Sequence, residues 1–229
     1  MRYRIKFAKD GLAVYISHLD LMRTWERALR RAGVRLAFSA GFNPHPKMSF
    51  AQALALGVDS CAEYLDLELV HEIDCAREKE LLNQVLPSGI RVLQLAALAD
   101  DEEPAMAQVT AAAYIFRGRS EQDLSAWQKG IDALLQRQEV VIVRDGKKGL
   151  RELNIAEFIL DLAVEKESDE VKLSLLASAG SRGNLRPQEV LQALEKYAGL
   201  ILADYQLVRT GLYCSKGKAY QPLISGEVE

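Results

Sequence analysis

This chain has no run approaching the roughly 18 consecutive apolar residues of a membrane-crossing helix. Its start, Met1-Arg-Tyr-Arg-Ile-Lys-Phe7, alternates basic with apolar residues where a secretory leader would concentrate apolar ones. A cytoplasmic location with no membrane partner is the expectation. Cysteine is scarce: Cys61, Cys75 and Cys214 lie far apart with no Cys-x-x-Cys spacing, which argues against a zinc ribbon, a redox pair or a disulfide framework. The phosphate-loop pattern Gly-x-x-x-x-Gly-Lys-Ser/Thr and the Gly-x-Ser-x-Gly elbow are also absent, so nucleotide hydrolysis and serine hydrolase chemistry have no sequence support. What remains is a chain of 229 residues, 49% hydrophobic and 27% charged, long enough for one large or two small domains with real cores.

The net charge of -3 hides an asymmetry. Through Phe50 there are ten basic residues (Arg2, Arg4, Lys6, Lys9, Arg23, Arg27, Arg30, Arg31, Arg35, Lys47) against three acidic ones (Asp10, Asp20, Glu26), an excess of seven, which leaves an acidic excess of ten on the remainder. A basic surface on an acidic body attracts phosphates or an acidic partner while the remainder limits non-specific adhesion. The alternative is that these arginines pair with acidic residues from later in the chain.

Periodicity organises the chain as α+β. Residues 2–8 alternate as a strand, with Tyr3, Ile5 and Phe7 on one face and Arg2, Arg4 and Lys6 on a face expected to stay exposed. Ser17-His-Leu-Asp20 reads as a capped helix start, and the helix runs to about Ala32 before Gly33. Leu21, Met22, Trp25, Ala28, Leu29 and Ala32 form its apolar stripe, and Arg23, Arg27, Arg30 and Arg31 form a ladder opposite. Strands over 46–56 and 63–70, a helix over 75–86 and a strand over 90–98 complete a βαββαβ order, the ferredoxin-like pattern. The second half predicts strands at 108–117, 139–145, 153–165, 170–178 and 201–213 and helices at 121–136 and 187–198, the same order with an extra strand. The expected organisation is therefore two tandem ferredoxin-like domains with antiparallel sheets: residues 1–99 with the basic surface, an acidic linker at 100–106, residues 107–214, and a loose tail from 215 to 229.

Ser39-Ala-Gly-Phe-Asn-Pro-His-Pro-Lys47 holds two prolines, a glycine, Asn43, His45 and Lys47, a spacing that neither a helix nor an interior strand tolerates. It reads as a shaped loop restraining an imidazole and a lysine, or as a rigid turn whose histidine is merely exposed. His18 lies at the helix start beside Ser17, a position that suits a hydrogen-bonding or base role, and Asp20 is spaced to orient Arg23. His18, Asp20 and His45 do not form a metal-ligand signature, so no metal is expected. Gly180-Ser-Arg-Gly183 followed by Asn184-Leu-Arg186-Pro187 is a basic turn entering a helix, where Arg182 and Arg186 could meet an anion or simply connect elements. Lys147, Lys148 and Arg151 could extend the basic surface, and solvated charge is the simpler reading. Trp127 and Tyr197 read as core.

At Tyr15-Ile-Ser-His-Leu-Asp20, Arg30-Arg-Ala32 and Gly41-Phe-Asn-Pro-His-Pro-Lys-Met-Ser-Phe50 the chain resembles the radical-SAM-linked protein family, a domain of unknown function. Weaker matches continue through Lys147-Lys-Gly149, Gly180-Ser-Arg-Gly-Asn184 and Arg209-Thr-Gly-Leu-Tyr213. The resemblance implies a radical SAM protein as partner, because family members are typically fused behind one or encoded beside it. No Cys-x-x-x-Cys-x-x-Cys is present to hold an iron–sulfur cluster, so this chain is expected to be the cofactor-free, stand-alone companion. A more distant resemblance is to the repeat-associated RNA-binding proteins of CRISPR systems, which also use tandem ferredoxin-like domains.

The leading expectation is a non-catalytic RNA-binding or substrate-presenting companion of a radical SAM enzyme. Its RNA-facing surface would be one patch of Arg23, Arg27, Arg30, Arg31, Asn43, His45 and Lys47, with Arg4 and Lys6 at the edge. The alternatives are a metal-independent ribonuclease using His18 or His45 as acid or base, and an interaction module that docks an acidic protein surface.

Overall fold

A computed structural model describes residues 1–146, 149–181, 183–217 and 219–224. Lys147, Lys148 and Arg182 lie outside the described residues. The fold is mixed α+β, and the chain divides into two compact units, Met1–Val109 together with Gly211–Glu229, and Thr110–Thr210.

The first unit follows the order β1 (Arg2–Lys9), α1 (His18–Arg31), β2 (Met48–Phe50), β3 (Asp59–Glu68), α2 (Cys75–Val85), β4 (Ile90–Ala97) and the short α3 (Ala105–Gln108). β1 is central, antiparallel to both β3 and β4, and β2 pairs antiparallel with β3. Alternation along the strands turns Tyr3, Ile5 and Phe7 of β1 and Leu65 and Leu67 of β3 into one core with Leu21, Trp25 and Leu29 of α1 and Leu82 of α2. The Phe7 and Trp25 rings meet edge-on at 5.0 Å. α1 starts because Ser17 Oγ accepts the Asp20 N–H, and α2 because the Asp74 carboxylate accepts the Ala76 and Arg77 N–H groups. α1 stops at Gly33, whose φ of +80° is left-handed.

The second unit contains β5 (Ala111–Arg119), α4 (Leu124–Leu135), β6 (Val141–Gly146), β7 (Gly149–Asn154), β8 (Ile159–Glu167), β9 (Glu170–Ser178), α5 (Pro187–Ala198) and the first part of β10 (Ala203–Lys216). Its main sheet has the order β10-β5-β9-β8, and α4 packs against both α5 and β8. The sequence predicted one strand across 153–165, but two are present. The Asn154 side-chain oxygen accepts both the Val140 and Ala156 N–H groups, which closes β7 and starts a short turn before β8. β7 therefore pairs with β6 in a separate hairpin and not with the main sheet.

Two expected boundaries are corrected. The acidic segment 100–106 is not a free linker: the Arg2 guanidinium donates to the Glu102 carbonyl at 2.6 Å, and the Ala105 N–H donates to Asp66 at 2.7 Å, so the segment closes against the first unit's sheet. The tail from 215 is not loose through 224. β10 continues to Lys216, β11 (Ala219–Pro222) folds back on it, and Leu223 and Ile224 are buried. A strand pair and two buried apolar side chains outweigh the Gly and Lys content that suggested disorder.

Candidate functional site

α1 separates its faces as the sequence pattern requires. Leu21, Trp25, Ala28 and Leu29 are buried, while Arg23, Arg27, Arg30 and Arg31 are exposed. Arg23 is partly neutralised by Asp20 at 3.4 Å, and the Asp20 carboxylate also accepts from Ser17 Oγ at 2.7 Å. Arg27, Arg30 and Arg31 form no ion pair among the described residues. Arg27 and Arg31, one helical turn apart, border an open groove of about 770 Å³ between α1, the turn at Gly11–Tyr15 and the end of α2. Its floor is apolar, with Ile16, Ala28, Val85 and Leu86, and Leu12 stands 86% exposed at its edge.

Beyond the C-terminal end of α1, Val34 and Leu36 return the chain to the core, and residues 39–45 then form a loop with a closed neck. The Ser39 N–H donates to the His45 carbonyl at 2.9 Å, the His45 N–H donates to Ser39 Oγ at 3.0 Å, and the Lys47 N–H donates to the Ala37 carbonyl at 2.8 Å. Asn43 and His45 are exposed on this loop.

The expected single patch is divided by the sheet. Arg4 is not at its exposed edge: it is fully buried, with Nε 2.6 Å and Nη2 3.0 Å from the two Asp66 oxygens. Its remaining donors reach the Glu103 and Leu223 carbonyls, both at 2.9 Å, and Gln108 Oε1 at 3.5 Å. Burying an arginine this deeply is tolerable because every donor finds an acceptor. Lys6 is half-buried on the same sheet face, opposite Tyr64 in the register. Lys47 is exposed but bonded to both Glu68 oxygens at 3.0 Å. Glu68 lies opposite Arg2 and alternates with the core residue Leu67, so Lys47 is held on the sheet face turned away from α1.

The two candidate histidines are carried by separate segments, the start of α1 and the 39–45 loop. The exposed His18 ring rests edge-on against Phe50 with centroids 5.2 Å apart. His45 is exposed on its loop, five residues before Phe50. Among the described residues, no hydrogen bond or ring contact joins the His18 and His45 side chains. Among the described residues, no cluster of His, Cys, Asp or Glu could hold a metal ion.

In the second unit Arg186 is exposed, and its guanidinium donates to the Asp145 carbonyl at 3.3 Å. Sequence reasoning missed its neighbours: Arg144 clasps Glu189 through both carboxylate oxygens at 2.5 and 2.6 Å, and Glu189 also accepts the Arg186 N–H at the start of α5. It also missed Asp66. The available signal was the alternation of Arg2, Arg4 and Lys6 against Tyr64, Asp66 and Glu68, which an antiparallel register converts into opposed charges. Beside that network, burial pushes the Tyr64 phenol up to about 12, with Tyr213 adding to the rise and a hydrogen bond from the Leu223 backbone and the Arg4 charge opposing it.

These features define a two-unit α+β protein whose first unit carries an exposed, largely unneutralised arginine helix beside a groove. Residues 2–187 match the family model described as an uncharacterized protein conserved in bacteria (DUF2344), and the chain belongs to that family. No curated protein matches it. Among solved structures, it is 13% identical to a chain of a Cbf5-Nop10-Gar1 complex, covering 92% of this chain and 48% of that one with a TM-score of 0.47. A protein of unknown function from Galdieria sulphuraria is 12% identical, with 91% and 97% covered and a TM-score of 0.27. The chain thus spans about half the length of the first of these, at 48%. No helix among the described residues is long and apolar enough to cross a membrane.

Proposed function

We propose that the first unit binds RNA through the arginine face of α1 and the groove it borders. One observation carries this reading: Arg27, Arg30 and Arg31 share an exposed helical face with no counter-ion among the described residues. Like charges three and four residues apart destabilise a helix by a few tenths of a kcal/mol per pair. A polyanion along that face relieves the repulsion, and the planar guanidinium group suits bidentate phosphate contacts. The net charge of -3 on the whole chain restricts such binding to this face.

On this reading the chain has no catalytic role of its own and serves as an RNA-binding or substrate-presenting companion of a radical SAM enzyme, possessing no cluster motif itself. The enzyme partner rests on the resemblance carried by the Asn43-Pro-His-Pro46 loop and its flanks. We read both units as ferredoxin-like, since each unit sets its fourth, first and third strands side by side with the second beyond the third.

The test is a titration of the full chain with structured RNA between roughly 50 and 200 mM salt, compared with Arg27→Glu and Arg30→Glu. Affinity should fall steeply with salt and in both variants. Salt-independent affinity, or variants that bind like the parent, would overturn the proposal. The apolar groove floor favours a second reading, an acidic protein helix seated between α1 and α2. Co-purification with the radical SAM protein from nuclease-treated extract would separate that reading from RNA bridging.

A further inference from the structure

Phe42 is 106% exposed, more than any other large apolar side chain among the described residues. It contributes nothing to the core, yet the chain holds it out with some care. The two Ser39–His45 hydrogen bonds and the pairing of Phe38 with Pro46 close the neck of the loop. Pro44 and Pro46 restrict the descending arm. Gly41, at φ +119°, supplies a turn that a side-chain-bearing residue rarely adopts. The result is a preformed aromatic tip, and pre-ordering of this kind lowers the entropic cost of binding. Phe38, at the neck, is also half exposed.

The sequence flanking this tip carries charge of one sign. Residues 27–58 contain no aspartate or glutamate but include Arg27, Arg30, Arg31, Arg35 and Lys47. Of these, only Lys47 has a carboxylate partner among the described residues, and the others are exposed. In sequence the loop begins eight residues after Arg31, the last residue of α1. An exposed, preformed aromatic tip and unneutralised guanidinium groups on the same compact unit are the two elements used for single-stranded nucleic acid, in which cations follow the backbone while rings stack on bases. A duplex keeps its bases stacked inside and offers this ring no open face.

We propose that Phe42 is a base-stacking residue, taking an unpaired base of single-stranded or looped RNA whose phosphates lie along the arginine face of α1. This rests on the RNA-binding reading above and narrows it to unpaired segments.

The test titrates the full chain with a single-stranded RNA carrying a fluorescent base analogue and with a blunt duplex of equal length. Parent, Phe42→Ala, Phe42→Trp and Arg27→Glu are compared, with thermal unfolding confirming that each remains folded. Phe42→Ala should lose about tenfold or more in single-strand affinity, together with the change in base emission. Its duplex affinity and salt dependence should stay as in the parent, since the phosphate contacts remain. Phe42→Trp should restore both losses. If Phe42→Ala binds single strands like the parent while Arg27→Glu is weakened, stacking is overturned, the RNA reading survives, and the ring belongs to an apolar pocket of a protein partner. If the parent binds neither RNA, the RNA reading fails and this inference fails with it.

Discussion

The Arg4 guanidinium is clasped to both oxygens of Asp66 in the interior of the first unit, at 2.6 and 3.0 Å. The pair joins four stretches of chain: β1, β3, the segment before α3 through Glu103, and the C-terminal end through Leu223. Removing either partner leaves an uncompensated buried charge, which costs about 3 to 5 kcal/mol. Asp66→Ala and Arg4→Met should each lower the denaturant midpoint of the first unit, and the double variant should lose less than the sum of the two. In a Trp127→Phe background, Trp25 fluorescence reports on the first unit. Additive effects would show that the two groups are not energetically coupled.

Tyr64 gives an alkaline signature in the same region. Its phenol is pushed from 10.0 to about 12 because burial disfavours the phenolate, with Tyr213 adding to the rise. A folded value above the unfolded one means that the contribution is complete below pH ~10 and is lost as the pH climbs toward ~12, a difference of about 2 to 3 kcal/mol. Stability of the parent should fall across that window, and the fall should be smaller in Tyr64→Phe. Identical profiles from pH-dependent urea unfolding would remove Tyr64 as the cause.

Local pattern made the helices and the first unit's element order legible, because caps and apolar spacing lie within a few residues of each other. Ser17 before α1, Asp74 before α2 and Gly33 after α1 are such signals. The fate of Arg4 was not legible from β1 alone, since a charged residue is buried or exposed according to what covers its sheet face. Here the cover comes from segments about 100 and 219 residues away, at Glu103 and Leu223. The same gap explains Lys47, whose partner Glu68 lies 21 residues on. The basic excess counted in the sequence therefore includes charges already neutralised in the fold. The arginine face of α1 was legible because helical periodicity alone places it opposite the apolar stripe.

Gly89 should resist substitution. It lies at φ +85°, and a Cβ added there would stand 2.4 Å from the Asp10 carbonyl oxygen, while the Asp10 N–H already donates to the Gly89 carbonyl. Gly89→Ala combines a left-handed backbone with a backbone clash that no rotamer relieves, so a loss of about 2 kcal/mol or more is expected from chemical denaturation. Pro87 and Ser88 of the same turn line the α1 groove, so the variant should also bind RNA less tightly under conditions where it remains folded. Unchanged stability would mean that the turn can relax without cost.

The division of the basic residues by the sheet gives the sharpest contrast between variants. Arg27→Glu and Arg30→Glu alter exposed groups without counter-ions, so stability should move by no more than about 0.5 kcal/mol, and the salt dependence of RNA binding should flatten by about one unit of slope for each phosphate no longer engaged. Lys47→Gln removes a cation of the same sign that is bonded to Glu68 on the opposite face. It should leave both RNA affinity and slope at the parent value. Net charge falls by two in each arginine reversal and by one in the lysine change, so Arg27→Gln and Arg30→Gln complete the comparison at equal charge. Equal losses from Lys47→Gln and Arg27→Gln would point to a diffuse attraction by total charge. A loss confined to the α1 positions would locate RNA on the helix face bordering the groove.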